Sequence, residues 1–276
     1  MQRSVAVIIR TKDRPLLLAR ALQSVGQQTY KDWEIVVVNN GGNLLEVEST
    51  ISSFKITNES AQIKLVNLIR PEFMEVATNR GILNTVCKYI SILDDDDTWD
   101  PFFLETCMKV LNENNSIDGV VSQSIMVYEK ITDRKIVEIR KEKFNPNLTA
   151  IKKYSILRRN LYTTNSFIYK KENIEEIGFY REDLPVLGDW EFNLRFALNR
   201  KIVVIAQPLS FYHKRINVNS KSYANTNYLE HLKYDYIIRK EYFKKFQREG
   251  RILEAAAIIL FGFLNRSIRY IKKMLN

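Results

Sequence analysis

The chain has 276 residues, of which 45% are hydrophobic and 27% are charged. This is enough apolar material for one large globular domain or for a domain with an appended lobe, so collagen-like, disordered and small disulfide-rich folds are excluded. The two cysteines, Cys87 and Cys107, lie in separate apolar segments. This excludes a zinc site built on cysteines and favours a reducing cytoplasm.

The first residues give no sign of secretion. Met1 leads into an apolar run at residues 4–9, which has the length of a strand rather than of a signal peptide. The longest apolar run, residues 255–264, would cover as a helix only about half of a bilayer core. The sequence therefore predicts a cytoplasmic chain with no membrane span.

The net charge of +10 is unevenly distributed. Residues 130–160 hold ten Lys and Arg against three Asp and Glu, and residues 226–276 hold eleven against five. Two basic surfaces on an acidic body predict an anionic partner: a phospholipid surface, a diphosphate or a nucleic acid.

The first hundred residues alternate short apolar runs with amphipathic stretches, which predicts βα units and a largely parallel sheet. Helices are predicted from Pro15 and over residues 44–54 and 74–88. The predicted strands cover residues 5–9, 34–38, 63–68 and 89–93.

The second half is predicted as a mixture of strands and helices, ending in a helical tail. Predicted strands cover residues 119–128, 135–139, 165–169 and 202–205. Predicted helices run from Pro101 to about residue 113, over residues 188–199 and from residue 228 onward. The basic stretch at 140–159 is predicted either as a mobile connector or lid, or as a solvated face.

Four consecutive aspartates, Asp94 to Asp97, follow the predicted strand at 89–93. Their mutual repulsion is unfavourable unless a cation offsets it, and ligands of open α/β sheets bind at this edge. Oxygen ligands favour Mg²⁺ or Mn²⁺. An EF-hand is excluded because Trp99 stands where that loop requires glycine, and a solvated helix N-terminus would explain one or two aspartates rather than four.

Five segments in this order resemble the inverting nucleotide-sugar glycosyltransferases of family 2. They are residues 5–15, 27–39, 79–82, 93–101 and 188–191. The resemblance implies a GT-A fold, an α/β architecture with a Rossmann-like mixed, mainly parallel sheet flanked by helices. It also implies a role in bacterial surface polysaccharide synthesis, of O-antigen or capsule type.

The predicted domains follow from this resemblance. A GT-A glycosyltransferase domain covers residues 1–225. Within it, residues 1–118 bind the nucleotide sugar and metal, and residues 119–225 bind the acceptor. Residues 226–276 form a basic amphipathic helical tail.

The resemblance assigns residues to the nucleotide. Thr11 and Asp13 face the base and ribose, although Asp13 is equally explained as a helix N-cap. Asn40 stands where the family usually has an aspartate that accepts from uracil; an amide oxygen also accepts, so a UDP-sugar remains the expected donor. Arg80 lies near the base or diphosphate, or is a surface arginine.

The resemblance also assigns a metal site for Mn²⁺ or Mg²⁺. Asp96 contacts the metal, and Asp94 contacts the metal or the ribose. Asp95 contacts ribose or metal-bound water. His213 lies near the metal or diphosphate, or is structural.

Asp189 matches the family's catalytic position. It is expected to act as general base on the acceptor hydroxyl, or to cap a helix. Gly188 replaces the glutamate that the family places before this aspartate. Sugar specificity is expected from loops that include residues 163–166 and the segment near Val186.

The expected acceptor is a glycan linked to a lipid diphosphate. The basic tail then either lies on an anionic membrane at the inner face of the plasma membrane, packs against the body, or contacts a second copy in a homodimer. Two other functions remain: a nucleotidyltransferase of related fold, and a nucleic-acid-binding protein. The sequence contains no zinc finger or RNA-recognition signature, so no nucleic acid partner is expected.

Overall fold

A computed structural model describes residues 3–132, 135–216 and 228–274. Its strands are β1 Val5–Thr11, β2 Trp33–Asn40, β3 Gln62–Leu68, β4 Tyr89–Asp94, β5 Thr98–Trp99, β6 Gly119–Thr132, β7 Lys135–Lys143, β8 Phe167–Lys170 and β9 Ile202–Arg215. Its helices are α1 Pro15–Gly26, α2 Leu44–Thr57, α3 Met74–Leu83, α4 Phe103–Glu113, α5 Lys153–Arg158, α6 Asn173–Ile177, α7 Gly188–Asn199, α8 Tyr228–Arg248 and α9 Ile252–Met274.

The strands form one mixed sheet in the order β3-β2-β1-β4-β8-β6-β9-β5, with β7 paired to β6. The first four strands are parallel. Strand β8 is antiparallel to both β4 and β6, and β9 runs parallel to β6. The βα units predicted for the first hundred residues are confirmed, and β8 joins this parallel half to the strands that follow.

Strand β1 is buried on both faces, and its side chains alternate between two hydrophobic clusters. Val5, Val7 and Ile9 pack with α1, α2 and α4, whereas Ala6 and Ile8 pack with α3 and α7. A strand covered on both sides appears in the sequence as a continuous apolar run, as residues 4–9 do.

The C-terminal helices pack against the body on one side. Ile238, Phe246 and Ile258 are fully buried in the same cluster as α3, α5 and α7. The Tyr242 hydroxyl donates to Glu191 on α7 at 2.9 Å. One face of the tail therefore packs against the body, which was one of the three arrangements expected for it. The domain boundaries at 118 and 225 remain predictions.

Several predicted elements differ from the structure in their bounds. Strand β9 continues to Arg215, ten residues beyond the predicted end at 205, because it pairs with β6 along its length. Helix α3 ends at Leu83 rather than at residue 88. The basic stretch at 140–159 includes the end of β7 and the helix α5. Among the described helices, none combines the length and apolarity needed to cross a membrane.

Candidate active site

Two adjoining cavities open where β1 and β4 end. The larger, of about 650 Å³, is lined by residues from both halves of the sheet and from α3, α7 and α8. The smaller, of about 310 Å³, extends toward the turn after β2 and shares Arg10, Arg14, Met74 and Asp94 with the larger. The carboxyl edge of the parallel strands is therefore the candidate active site, as expected for an open α/β sheet.

Three aspartates converge on the larger cavity. Asp94, Asp96 and Asp97 each offer a carboxylate oxygen, and these oxygens lie within 4.8 Å of one another. Burial, followed by the negative charges of Asp96 and Asp94, raises the pKa of Asp97 well above its ordinary range. A set of converging carboxylate oxygens fits Mg²⁺ or Mn²⁺.

Arginines surround the aspartates and offset part of their charge. Arg10 contacts Asp94 through two nitrogens, with Nε at 2.8 Å from Oδ1. Arg215 lies 2.6 Å from Asp96, and Arg14 lies 3.4 Å from the same carboxylate oxygen. The site thus contains fixed cations beside its candidate metal ligands, an arrangement suited to an anionic substrate.

Asp95 differs from its neighbours because its side chain is fully buried. It accepts from the Thr11 hydroxyl at 2.7 Å and from Arg14 Nε at 3.0 Å. Burial raises the pKa of Asp95 to about 7, although the Arg14 guanidinium acts in the opposite direction. Asp95 lines neither cavity, so its position favours holding Thr11 and Arg14 in place rather than the predicted contact with ribose.

The smaller cavity contains three of the residues predicted to bind the nucleotide: Thr11, Asp13 and Asn40. Asp13 has a left-handed backbone, with φ of 53°, and accepts from the backbone N–H of Asn43 at 2.8 Å. The residue that precedes α1 is Arg14, so Asp13 is not the N-cap that the sequence offered as an alternative.

Asn40 and Arg80 lie in different surroundings. The Asn40 side chain forms two hydrogen bonds with the backbone of Glu72. Its Nδ2 donates to the Glu72 carbonyl at 2.9 Å, and its Oδ1 accepts from the Glu72 N–H at 2.9 Å. This pair holds the loop before α3 against the turn after β2. Arg80 is exposed on α3 and lines neither cavity, so the structure does not bring it to the other predicted residues.

His213 is not placed among the aspartates. Its Nδ1 lies 2.8 Å from Glu129 and its Nε2 lies 2.9 Å from the Thr98 hydroxyl, so both ring nitrogens are engaged. Only its backbone N–H reaches the acidic group, by donating to Asp97 at 2.9 Å. The ring of His213 therefore lies outside the group formed by Asp94, Asp96 and Asp97, because its nitrogens are directed to Glu129 and Thr98.

Asp189 lines the larger cavity together with the three aspartates. It lies in the first turn of α7, where Leu187 precedes the helix with a left-handed backbone, so Asp189 itself is not the N-cap. Asn160 donates to its carboxylate at 2.8 Å, and burial raises the pKa of Asp189. A half-buried carboxylate held by one amide has the character of a general base.

Several residues at the cavity were not predicted from the sequence. Glu75 on α3 and His231 on α8 both line it, as do Arg10 and Arg215. Arg10 and Arg215 adjoin predicted residues and could have been found by position. Glu75 and His231 carry no local signal, because they are brought to the cavity only by helix packing. Thr163, Thr164 and Val186, from the loops expected to set specificity, also line this cavity.

Comparison with known proteins identifies related chains. The profile of Glycosyl transferase family 2 matches residues 6–178. An uncharacterised glycosyltransferase of Bacillus subtilis, YwdF, is 25% identical over 200 residues, which cover 72% of this chain and 69% of that protein.

Solved structures share the fold at low sequence identity. TarS 1-349 of S. aureus, in complex with UDP-GlcNAc, superposes with a TM-score of 0.66 and 17% identity, over 86% of this chain and 66% of that chain. The mannosyltransferase PcManGT of Pyrobaculum calidifontis, in complex with GDP-Man and Mn²⁺, has a TM-score of 0.59 and 15% identity, over 91% and 65%. The predicted GT-A fold is confirmed, and the present chain spans about two thirds of the length of these two proteins.

Proposed function

Because the chain belongs to glycosyl transferase family 2, we propose that it is a metal-dependent inverting glycosyltransferase that transfers a hexosyl group from a UDP-sugar. The observation that carries this proposal is the shared cavity. Asp94, Asp96 and Asp97 line it beside Asp189. A candidate metal site and a candidate base in one cavity are what direct transfer from a nucleotide sugar requires.

The nucleotide is assigned to the smaller cavity and its diphosphate to the aspartates and arginines. Structures of TarS with UDP-GlcNAc and with UDP support a uridine donor, whereas PcManGT was solved with GDP-Man. Asn40 is the last residue of β2, and its amide has hydrogen-bonding capacity left for a base. A UDP-sugar is therefore the first donor to test and a GDP-sugar the second.

The three aspartates Asp94, Asp96 and Asp97 would hold Mn²⁺ or Mg²⁺. When bound, such a metal offsets the negative charge that develops on the departing nucleoside diphosphate. Arg14 and Arg215 add fixed positive charge at the same end of the cavity. The PcManGT structure, which contains Mn²⁺, supports manganese as the first metal to test.

Asp189 is assigned as the general base. Asn160 holds one carboxylate oxygen of Asp189, and the carboxylate accepts the proton of the acceptor hydroxyl as the hydroxyl oxygen attacks the anomeric carbon. Attack from the face opposite the leaving diphosphate inverts the anomeric configuration. Burial raises the pKa of Asp189, which strengthens it as a base at neutral pH.

The test is release of nucleoside diphosphate from UDP-, GDP- and dTDP-sugars, with Mn²⁺ or Mg²⁺ and with chelator. We expect turnover of one donor, lost with chelator and reduced about 100-fold or more in Asp96→Asn and Asp189→Asn. Asp100→Asn is the matched control, because Asp100 lies close in the chain but lines neither cavity. Release of pyrophosphate from a nucleoside triphosphate would instead identify a nucleotidyltransferase, and salt-sensitive binding of random DNA a nucleic-acid-binding protein.

The acceptor is proposed to be a lipid-diphosphate-linked glycan in surface polysaccharide synthesis, reached at the inner face of the plasma membrane. Helix α9 supports a membrane position. Its outer face exposes Leu253, Leu260 and Phe263 by 73%, 55% and 69%. These residues recur at helical spacing, and the sequence that follows is basic, as in helices that lie on anionic membranes.

Flotation with vesicles tests this position. The chain should float with mixed phosphatidylcholine and phosphatidylglycerol vesicles, but not with phosphatidylcholine alone. The Leu260→Glu/Phe263→Glu variant should lose flotation, whereas Leu45→Glu, which changes an equally exposed leucine on α2, should not. A concentration-dependent dimer that the double variant abolishes would instead assign this face to a second copy.

A further inference from the structure

Glu75 is a buried carboxyl group that the mechanism above leaves without a role. It lies in the first turn of α3, is only 6% exposed and lines the larger cavity. Its Oε2 has no hydrogen-bond partner among the residues that the structure describes. A buried polar oxygen left unpaired is costly, so its retention beside a substrate cavity points to a ligand that completes it.

Gly188 provides the space for this carboxyl group. A Cβ at position 188 would lie 2.3 Å from Glu75 Oε1 and 2.4 Å from both Cδ and Cγ. The backbone of Gly188 does not require glycine, because its φ is not in the left-handed range. The glycine is therefore explained by close approach of Glu75, which places that carboxyl group against the residue that precedes Asp189.

The charges around Glu75 favour a hydrogen-bonding role over an ion pair. Burial raises the pKa of Glu75 to about 7, and the positive charge of Arg10 only partly opposes this effect. Arg10 directs its hydrogen bonds to Asp94 and Thr78 instead. Glu75 and Asp189 thus line the same cavity, with Glu75 packed against the residue before Asp189, and the three candidate metal ligands line it as well.

We propose that Glu75 positions the acceptor. The unpaired carboxyl oxygen of Glu75 forms a hydrogen bond with the acceptor hydroxyl that is adjacent to the one deprotonated by Asp189. The inference rests on the proposed function and narrows the acceptor to a sugar with two neighbouring hydroxyl groups. One of these hydroxyls reacts, and the other forms a hydrogen bond with Glu75 that fixes the direction of attack. No covalent step is assigned to Glu75.

The test compares transfer with acceptor-independent hydrolysis of the donor by water. The probes are the donor identified above and p-nitrophenyl glycosides of common hexoses, with their deoxy analogues. We expect Glu75→Gln to raise the acceptor KM about 10-fold or more, while the donor KM and the hydrolysis rate stay unchanged. Removal of the adjacent hydroxyl from the acceptor should raise the acceptor KM of the wild-type protein by a similar factor. The same removal should change the acceptor KM of Glu75→Gln very little.

A second set of variants moves the carboxyl group from position 75 to position 188 and so distinguishes acceptor binding from a purely structural role of Glu75. Glu75→Ala should lose acceptor binding, and Glu75→Ala/Gly188→Glu should recover most of it, because the new side chain starts from the space that Glu75 occupied. Gly188→Ala should weaken acceptor binding in the wild-type background, because its Cβ would clash with Glu75. In the Glu75→Ala background it should cause no further loss of acceptor binding. Glu113→Gln, an exposed glutamate at the end of α4, is the matched control.

The outcomes separate this inference from the proposed function. Unchanged acceptor KM in Glu75→Gln, or equal losses in transfer and hydrolysis, would overturn the positioning role and leave the transferase intact. A changed donor KM would move Glu75 to the donor sugar and also overturn it. A wild-type chain that binds no nucleotide sugar by calorimetry would overturn both.

Discussion

Arg239 joins the C-terminal helices to the rest of the protein, and its replacement gives the sharpest stability prediction. Its side chain is 2% exposed and pairs with Asp235 through two bonds of 3.0 Å. It also donates to the carbonyls of Leu157, Arg158 and Ile258 at 2.8, 2.9 and 3.1 Å. One guanidinium therefore connects α8 to both α5 and α9.

Arg239→Met should lower the free energy of unfolding by about 4 kcal/mol. Breaking a buried ion pair by removing one partner costs about 3–5 kcal/mol, because the remaining charge is left uncompensated. Asp235 is only 8% exposed at its side chain, so water cannot replace the arginine. Three carbonyls lose their donors in addition, while methionine retains part of the packing against Trp190.

Urea unfolding followed by circular dichroism measures this change. Lys240→Met, at the next position but exposed, should change the free energy by about 0.5 kcal/mol or less. Adding Asp235→Asn to Arg239→Met should restore part of the loss, because it removes the uncompensated charge. A loss of less than about 1 kcal/mol in Arg239→Met would refute the reasoning, since it would mean that α8 does not depend on this bridge.

Three further predictions concern the cavity and the core. The folded chain keeps the proton of Glu75 up to about pH 7, whereas the usual value is 4.5, so stability falls as pH rises through this window. Glu75→Gln should therefore stabilise by about 1 kcal/mol at pH 5 and about 3 kcal/mol at pH 8 in urea unfolding; an equal gain at both would contradict this. The raised pKa of Asp189 should place the acid limb of kcat/KM above the ordinary aspartate range of about 4, and a limb at or below it would argue against this base. Gly81→Ala should cost about 1–3 kcal/mol in the same unfolding assay, because its Cβ would lie 2.4 Å from Ile8 Cγ2, and a neutral change would show that α3 can shift.

Elements with a strong local pattern were predicted well. The run at β1 and the apolar stripe after Pro15 gave nearly correct positions, because burial on one or both faces determines which residues are apolar. Strand β9 was predicted too short, since residues 206–215 carry no continuous apolar run and are held by pairing with β6. Pairing between strands distant in sequence leaves no periodic signal of its own.

For the aspartates Asp94 to Asp97, too, the sequence predicted one part of the arrangement and not the other. Four aspartates after a buried strand predicted a cation site with Asp94 and Asp96 as metal contacts, and the structure brings Asp94, Asp96 and Asp97 together. Which three come together was not predictable, because the direction of each side chain depends on its partners. Asp95 turns inward to Thr11 and Arg14, and Asp97 accepts from the backbone N–H of His213.

The sequence by itself determined the order of the elements, the edge of the sheet where ligands bind and the residue types available there. These features follow from burial, charge repulsion and ordered motifs within short segments. Only the tertiary structure decided that Glu75 fills the space beside Gly188 and that His231 reaches the cavity from α8. Such contacts join residues separated by a hundred positions or more, and packing of whole helices, rather than any local pattern, brings them together.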